Sequence, residues 1–184
     1  MVRDRQGGLS VRVRLALLAV FGVTFGFVES AVVYDLRRLL NFHEEVPIEK
    51  YKVLLNLGFI TFVSPEHSIL ISRGLTVVEV IREACTIVML VCVALVAGSS
   101  WGQRFAAFLV TFACWDITYY LYLKILVNWP GSLMTRDVFF LIPVTWIGPV
   151  ITPLVICTMM LILGVKWYVK PPARLFGRDV RARK

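Results

Sequence analysis

The sequence contains little charge for its length. Only 17% of its 184 residues are charged, whereas 58% are apolar, compared with about 45 to 50% in an average soluble domain. The mean hydropathy is +0.76. This composition excludes a disordered chain and an ordinary water-soluble domain. It predicts a protein whose solvent is the lipid bilayer.

Residues that commonly carry chemistry are also scarce. The four cysteines lie in apolar segments and form no CxxC pair, so the sequence predicts neither a disulfide framework nor a thiolate metal site. The two histidines, His43 and His67, both fall in one predicted loop, which argues against a haem ligated by histidine within the membrane. The sequence contains no HExxH, P-loop or GxGxxG motif. Motifs therefore name no enzyme class and no cofactor.

Four apolar stretches have the length of membrane spans: residues 15–34, 75–97, 105–125 and 138–165. The fourth is uncharged throughout and longer than the roughly 20 residues that a spanning helix needs. Its prolines, Pro143, Pro149 and Pro153, predict a kinked helix because each removes a backbone donor. The expected fold is all-α: a single polytopic membrane domain, residues 1–184, with a bundle of four transmembrane helices.

The long connection between the first two spans, residues 35–74, contains an apolar segment at residues 53–63. The segment is too short to cross a bilayer. With Pro47 able to open a helix, we predict an interfacial helix that lies along the outer surface or dips into it. A fifth crossing here is the alternative, and it would place the C-terminal tail on the outer side.

The distribution of Lys and Arg predicts the orientation in the membrane. Basic residues are concentrated in the N-terminal arm and in the tail, residues 166–184, whereas acidic residues offset the basic ones on the other side. The positive-inside rule then predicts an inner-membrane protein with both termini in the cytoplasm. A cleaved N-terminal signal peptide is the alternative for the first span. The basic tail fits anionic lipid headgroups better than nucleic acid, for which no binding fold is recognisable.

Ionisable residues nevertheless occur inside the predicted spans. They are Glu29, Glu79, Arg82, Glu83, Asp116 and Lys124. The four acids lie in the outer half of the membrane, on three different helices. Such groups are expensive in lipid, so they are expected to turn inward and to pair or to hold a ligand.

Helical spacing indicates that these residues share faces. Glu79, Arg82 and Glu83 follow an i, i+3, i+4 pattern, and Asp116, Tyr119 and Tyr120 repeat it on the third span. On the first span a Gly22-xxx-Gly26 pair continues towards Glu29 and favours close helix packing. We therefore predict an acidic cavity that opens outward. Its residues are Glu29, Glu79, Arg82, Glu83, Asp116, Tyr119 and Tyr120.

Pairing within this cavity is predicted to be incomplete. Lys124 lies near the end of its span and can reach the interface, which leaves Arg82 as the main buried cation. Arg82 is expected to grip Glu29 or Asp116, and the remaining acids are then protonated, solvated or bound to a cation. A polar staple that only holds the helices in register is the competing interpretation.

Three chemical roles for the acids remain open from the sequence. Glu79, Glu83 and Asp116 are candidate ligands for a hard divalent cation, because their oxygens suit Ca²⁺, Mg²⁺ or Mn²⁺. Glu83 and Asp116 are candidate acid/base groups acting on a lipid or quinone-like substrate. A proline-broken fourth helix beside the acids is a candidate path for coupled transport of protons or cations.

The hypothesis placed first is a small integral membrane subunit or assembly partner of a membrane complex. Its cavity binds a lipid, an ion, a cofactor or a partner group, and its partners are membrane lipids with other subunits or further copies of the chain. The lipid- or quinone-directed enzyme and the coupled transporter are the alternatives.

Overall fold

The computed structural model describes residues 9–40, 51–64 and 73–171. It is mostly helical, and four helices are long and apolar enough to cross a membrane. They are α1 (Val11–Leu40), α2 (Arg73–Ala97), α3 (Trp101–Val127) and α4 (Ile151–Val169). This confirms the prediction of four candidate spans, in the expected order along the chain.

Helix α3 lies at the centre of the bundle. Small residues line much of its buried surface, and Ala106, Ala107 and Ala113 are fully buried. The helix begins after Ser100, whose hydroxyl accepts a hydrogen bond from the Gln103 backbone N–H, and it ends at Asn128 in the left-handed conformation with φ 54°. Because α1, α2 and α4 each pack on α3, this helix sets the position of the other three.

Glycines allow the helices to approach α3 closely. A Cβ added at Gly22 would lie 2.6 Å from the Cys114 Cβ, and one added at Gly26 would lie 2.7 Å from the Trp115 carbonyl oxygen. On the other side of α3, a Cβ at Gly164 of α4 would lie 2.9 Å from a Val110 methyl group. The predicted small-xxx-small face of α1 is thus in contact with α3, as expected for close helix packing in lipid.

The all-α prediction is incomplete, because the two connections at one end of the bundle form a sheet. The strands are β1 (Val53–Asn56), β2 (Thr61–Val63), β3 (Arg136–Phe140) and β4 (Thr145–Pro149). They pair antiparallel in the order β1-β2-β4-β3. We call this end of the bundle the sheet end and the opposite end, which carries the start of α1 and the end of α4, the terminal end.

The interfacial helix predicted over residues 53–63 is wrong, since these residues form the hairpin β1–β2. Its turn is fixed locally: the Asn56 Oδ1 accepts the Gly58 N–H at 2.8 Å, and the Leu57 N–H donates to the Ile60 carbonyl at 2.9 Å. Gly58 has φ 85°, which favours glycine. The part of the prediction that concerns Pro47 lies outside the described residues.

The kinked fourth helix over residues 138–165 is also wrong. Pro143 lies between β3 and β4, Pro149 ends β4, and Pro153 lies in the first turn of α4, where a backbone N–H has no partner within the helix. Two of the prolines therefore precede the helix and the third lies in its first turn, and α4 continues for 19 residues.

The hairpin β3–β4 explains why the apolar segment at residues 138–165 is longer than one spanning helix needs to be. Asp137 near its start contacts Tyr120, and Phe140 near its tip stacks on Phe112 at a ring-centroid distance of 6.3 Å. Tyr120 and Phe112 are separated by about 12 Å along α3. The hairpin thus descends along α3 into the bundle, and a segment at that depth requires apolar side chains.

The close contact of α1 with α3 gives a first prediction. G26A should lower the melting temperature in detergent, because the added Cβ would lie 2.3 Å from the Thr118 hydroxyl and 2.7 Å from the Trp115 carbonyl. Overpacking of this kind costs about 1 to 3 kcal/mol. The matched control is G74A, since Gly74 is a helical glycine with nothing within 4 Å of the added Cβ. Equal melting temperatures for G26A and the wild type would contradict the predicted packing.

Candidate functional site: a polar network between the helices

The centre of the network is an ion-pair cluster that joins α1 to α2. Arg82 forms an ion pair with Glu29, and its Nε and Nη2 donate to one carboxylate oxygen of Glu79 at 2.9 and 2.5 Å. The Thr86 hydroxyl donates to Glu29 at 3.4 Å. The side chains of Glu29 and Glu79 are 10% and 8% exposed, and that of Arg82 is 25% exposed. Of the two predicted partners of Arg82, the structure places Glu29 beside it and Asp116 elsewhere.

Glu83 contacts the tip of the hairpin β3–β4. Both of its carboxylate oxygens lie 3.0 Å from the Leu141 backbone nitrogen, which donates to them. Leu141 directly follows β3 and lies beyond the β3–β4 pairing, which ends at Phe140. A backbone N–H inside a membrane domain needs a partner, and a carboxylate is a strong acceptor. Glu83 therefore holds the re-entrant hairpin against α2.

Asp116 belongs to the interface between α3 and α4. The Cys157 thiol donates to its carboxylate at 3.3 Å, and both residues are buried. Tyr119, on the same helix, packs edge-on against Tyr120 with ring centroids 4.9 Å apart. Asp116 thus links two helices through a thiol, a partner that the sequence reasoning did not consider.

A second buried carboxylate, Asp137 of β3, was missed by the sequence reasoning. The Tyr120 hydroxyl donates to it at 3.0 Å, and the Arg37 guanidinium lies 3.9 Å away. Arg37 also stacks over the Trp129 ring at 3.9 Å from its centroid. These contacts tie the end of α1 to α3 and to the hairpin. Both charges lie outside the predicted spans, so no helical periodicity could have pointed to them.

Lys124 takes no part in the acidic network. Its ammonium group donates to the Pro130 carbonyl at 2.9 Å, beyond the end of α3. This agrees with the prediction that Lys124 reaches the end of its span and leaves Arg82 as the main cation. His43 and His67 lie outside the described residues.

The candidate metal ligands are not assembled into one group. Glu79 binds Arg82, Glu83 binds the Leu141 N–H, and Asp116 binds the Cys157 thiol. Within residues 9–40, 51–64 and 73–171, no three His, Cys, Asp or Glu side chains are placed to hold a metal ion. The predicted set of Glu79, Glu83 and Asp116 therefore does not form a common coordination site in this structure.

One short motif also escaped the sequence reasoning. Residues 98–102 read Gly-Ser-Ser-Trp-Gly and match the GxSxG pattern of serine hydrolases. In those enzymes the serine lies between a strand and a helix, whereas Ser100 lies between α2 and α3 and caps α3. The match is explained by helix capping.

Comparison of the chain with family models, with curated proteins and with solved structures gives no match.

The role of Glu83 gives a second prediction. E83L should release the hairpin tip, because the Leu141 N–H loses its acceptor, whereas E83Q should preserve most of the contact through its amide oxygen. Hydrogen–deuterium exchange in detergent should then show faster exchange for residues 136–149 in E83L than in E83Q. Slow exchange that is identical in both variants would contradict the assigned role of Glu83.

The environment of Asp137 gives a third prediction, on pH dependence. Burial raises the pKa of Asp137 to about 6, against the opposing effects of Arg37 and of the hydrogen bonds from Tyr120 and the Val138 backbone. Because the ordinary pKa is about 3.9, the folded protein binds more protons than the unfolded chain between about pH 4 and 6. The contribution of Asp137 to stability therefore falls as the pH rises through this window.

D137N removes this titration. The stability of the wild type relative to D137N should decrease from pH 4 to pH 7, by on the order of 2 to 3 kcal/mol. Melting temperatures of both proteins in detergent, measured at half-unit pH steps, check this. Parallel pH profiles would show that Asp137 does not titrate in this range.

Proposed function

We propose that the protein is a small integral membrane subunit or assembly partner of a membrane complex. The site of association is the Glu29–Arg82–Glu79 cluster, which receives a polar group from a partner. The observation that carries the proposal is the partial exposure of Arg82 between two acids that are almost fully buried.

The depth of Arg82 makes this exposure significant. Arg82 lies about 12 Å along the helix from Gly74, where the candidate span begins. A charge that faces lipid at such a depth costs several kcal/mol, whereas a charge that faces a protein partner can be paired. The partial exposure of the Arg82 side chain therefore favours a protein contact over bare lipid.

The packing of the helices provides a place for such a partner. Among the described residues, α1 and α2 each pack on α3 and make little backbone contact with each other. The ion pair from Arg82 to Glu29 bridges the seam between them. We propose that a transmembrane helix of the partner lies along this seam and presents a polar side chain to the cluster.

The charge balance of the cluster fits a polar or cationic partner group. Two carboxylates share one guanidinium, so the cluster is negative when both acids are ionised. A donor such as a Ser, Asn, Lys or Arg side chain would complete their hydrogen bonding.

The catalytic and transport alternatives have less support. The candidate acids Glu83 and Asp116 are each engaged by a donor that also holds the fold together. Lipid- or quinone-directed acid/base chemistry would require one of them to leave its partner. The subunit proposal requires no such rearrangement.

We also propose the orientation that the charge distribution predicts. Both termini lie in the cytoplasm of a cell with an inner membrane, and the sheet end faces outward. Four crossings return the chain to the side from which it starts, which agrees with basic residues at both ends of the sequence.

The test compares three full-length, tagged proteins expressed at native level and extracted in a mild detergent. They are the wild type, the neutral variant E29Q/E79Q/R82M, and the control K166Q/K170Q, which removes two exposed charges at the terminal end. Replacing a complete buried ion cluster with neutral groups is often tolerated, whereas R82M alone should unfold the protein more easily because two acids lose their cation. Thermal unfolding establishes that each protein compared is folded.

Native mass spectrometry then reports what each folded protein retains. The wild type and the control should hold a defined subunit or a second copy, and the neutral variant should lose it. A wild type that is recovered alone, or a neutral variant that retains the same subunit, would contradict the proposal. Retained metal or lipid would be visible in the same spectra.

A further inference from the structure

A polar pocket lies on the sheet, and none of the acids described above lines it. It has a volume of about 150 Å³, and the side chains of Asn56, Thr61 and Arg136 contribute to its lining. Asn56 pairs with Thr61, Thr61 with Ile147, and Arg136 with Pro149 across neighbouring strands. Because cross-strand partners share a face, these three polar side chains come to the same face of the sheet.

The pocket lies at the level where α4 enters the membrane. Pro149 lines the pocket and is separated from the start of α4 by a single residue. Helix α4 has 19 residues, so its length of about 28 Å matches the hydrocarbon core of a bilayer. The start of α4 therefore marks one boundary of the hydrocarbon. The Thr152 hydroxyl, in the first turn, donates to the Phe59 carbonyl at 3.1 Å and holds the β1–β2 turn at the same level.

Exposed apolar side chains precede Asn56 along β1. Val53, Leu54 and Leu55 of β1 are each about half exposed. Val53 pairs with Val63, which pairs with Thr145 at the beginning of β4. Strand β4 runs from Thr145, near the buried hairpin tip, up to the start of α4. The Val53 end of the sheet therefore lies deeper in the membrane than the pocket does.

We propose that this pocket binds the phosphate group of a phospholipid from the leaflet on the sheet side. Arg136 pairs with the phosphate, Asn56 and Thr61 supply polar contacts, and an acyl chain lies along the apolar residues of β1. A guanidinium is suited to a phosphate diester because it presents several donors in one plane. The arrangement places a cation and an apolar strand side by side, as a phospholipid places its phosphate beside its acyl chains.

This inference is independent of the partner proposed for Arg82. It requires only that α4 crosses the membrane, and it concerns a different face of the protein. Failure of one proposal therefore leaves the other unaffected.

The experiment is a titration of the detergent-purified full-length protein, followed by native mass spectrometry. The probes are palmitoyl-oleoyl phosphatidylglycerol, a diacylglycerol with the same acyl chains, and inorganic phosphate. The phospholipid should bind in a one-to-one ratio, and the diacylglycerol and inorganic phosphate should bind more weakly, because each lacks half of the recognised chemistry.

Two variants separate the parts of the site. R136Q should weaken binding of the phospholipid by roughly tenfold, which is the value of one lost charge-assisted contact. L54Q changes an exposed residue and should weaken phospholipid binding while leaving the weak binding of inorganic phosphate unchanged. The control K170Q removes one charge at the terminal end and should bind like the wild type. Thermal unfolding confirms that each variant is folded.

Several outcomes would overturn the proposal. If folded R136Q binds the phospholipid with wild-type affinity, Arg136 does not recognise the phosphate. Diacylglycerol that binds the wild type as tightly as the phospholipid does would also exclude recognition of the phosphate. Inorganic phosphate that binds as tightly as the phospholipid would identify a site for a soluble anion. If the wild type retains a protein and no lipid, and R136Q loses that protein, the pocket is a protein interface.

Discussion

The hydrogen bond from the Leu141 N–H to Glu83 shows the constraint on which the rest of the structure depends. A backbone polar group at membrane depth must find its partner within the protein. The hairpin β3–β4 satisfies most of its backbone groups through its own strands, but the turn at its tip cannot. Glu83 provides the missing acceptor from α2. A carboxylate in the middle of an apolar helix is therefore explained by the hairpin that it holds.

The same constraint divides the polar groups into two classes. Glu83, Asp116 and Asp137 each accept a hydrogen bond from a group of another element, and these contacts connect α2, α3, α4 and the sheet. The Arg82 cluster differs, because one guanidinium serves two carboxylates and the Arg82 side chain is a quarter exposed. Interactions of the first class stabilise the fold. We propose association at the second class, because Arg82 is shared between two acids instead of being matched by one.

The sequence predicted the bounds of α2 and the packing face of α1 well. The α2 prediction differs from the structure by two residues at one end, and the Gly22-xxx-Gly26 face correctly indicated close packing. The fourth span failed because a helix in lipid and a hairpin at membrane depth both require apolar residues, so composition cannot distinguish them. The pairing of β2 with β4 joins segments that are distant in the chain, and no local pattern encodes it. Of the two partners predicted for Arg82, only Glu29 is beside it, whereas the thiol partner of Asp116 requires knowledge of how α3 and α4 pack.

The unequal lengths of the helices explain why the candidate sites lie at the sheet end. Helix α3 has 27 residues and α4 has 19, while Tyr168 of α4 reaches the Ala97 carbonyl at the terminal end. The helices are thus aligned at the terminal end, and α4 stops short at the other. The hairpin β3–β4 fills the space beside α3, and β1–β2 adds two strands to its sheet. Backbone that leaves a helix at this level brings polar groups to the membrane boundary. Both proposed contacts, of Arg136 with a headgroup and of Arg82 with a partner, therefore lie towards the sheet end.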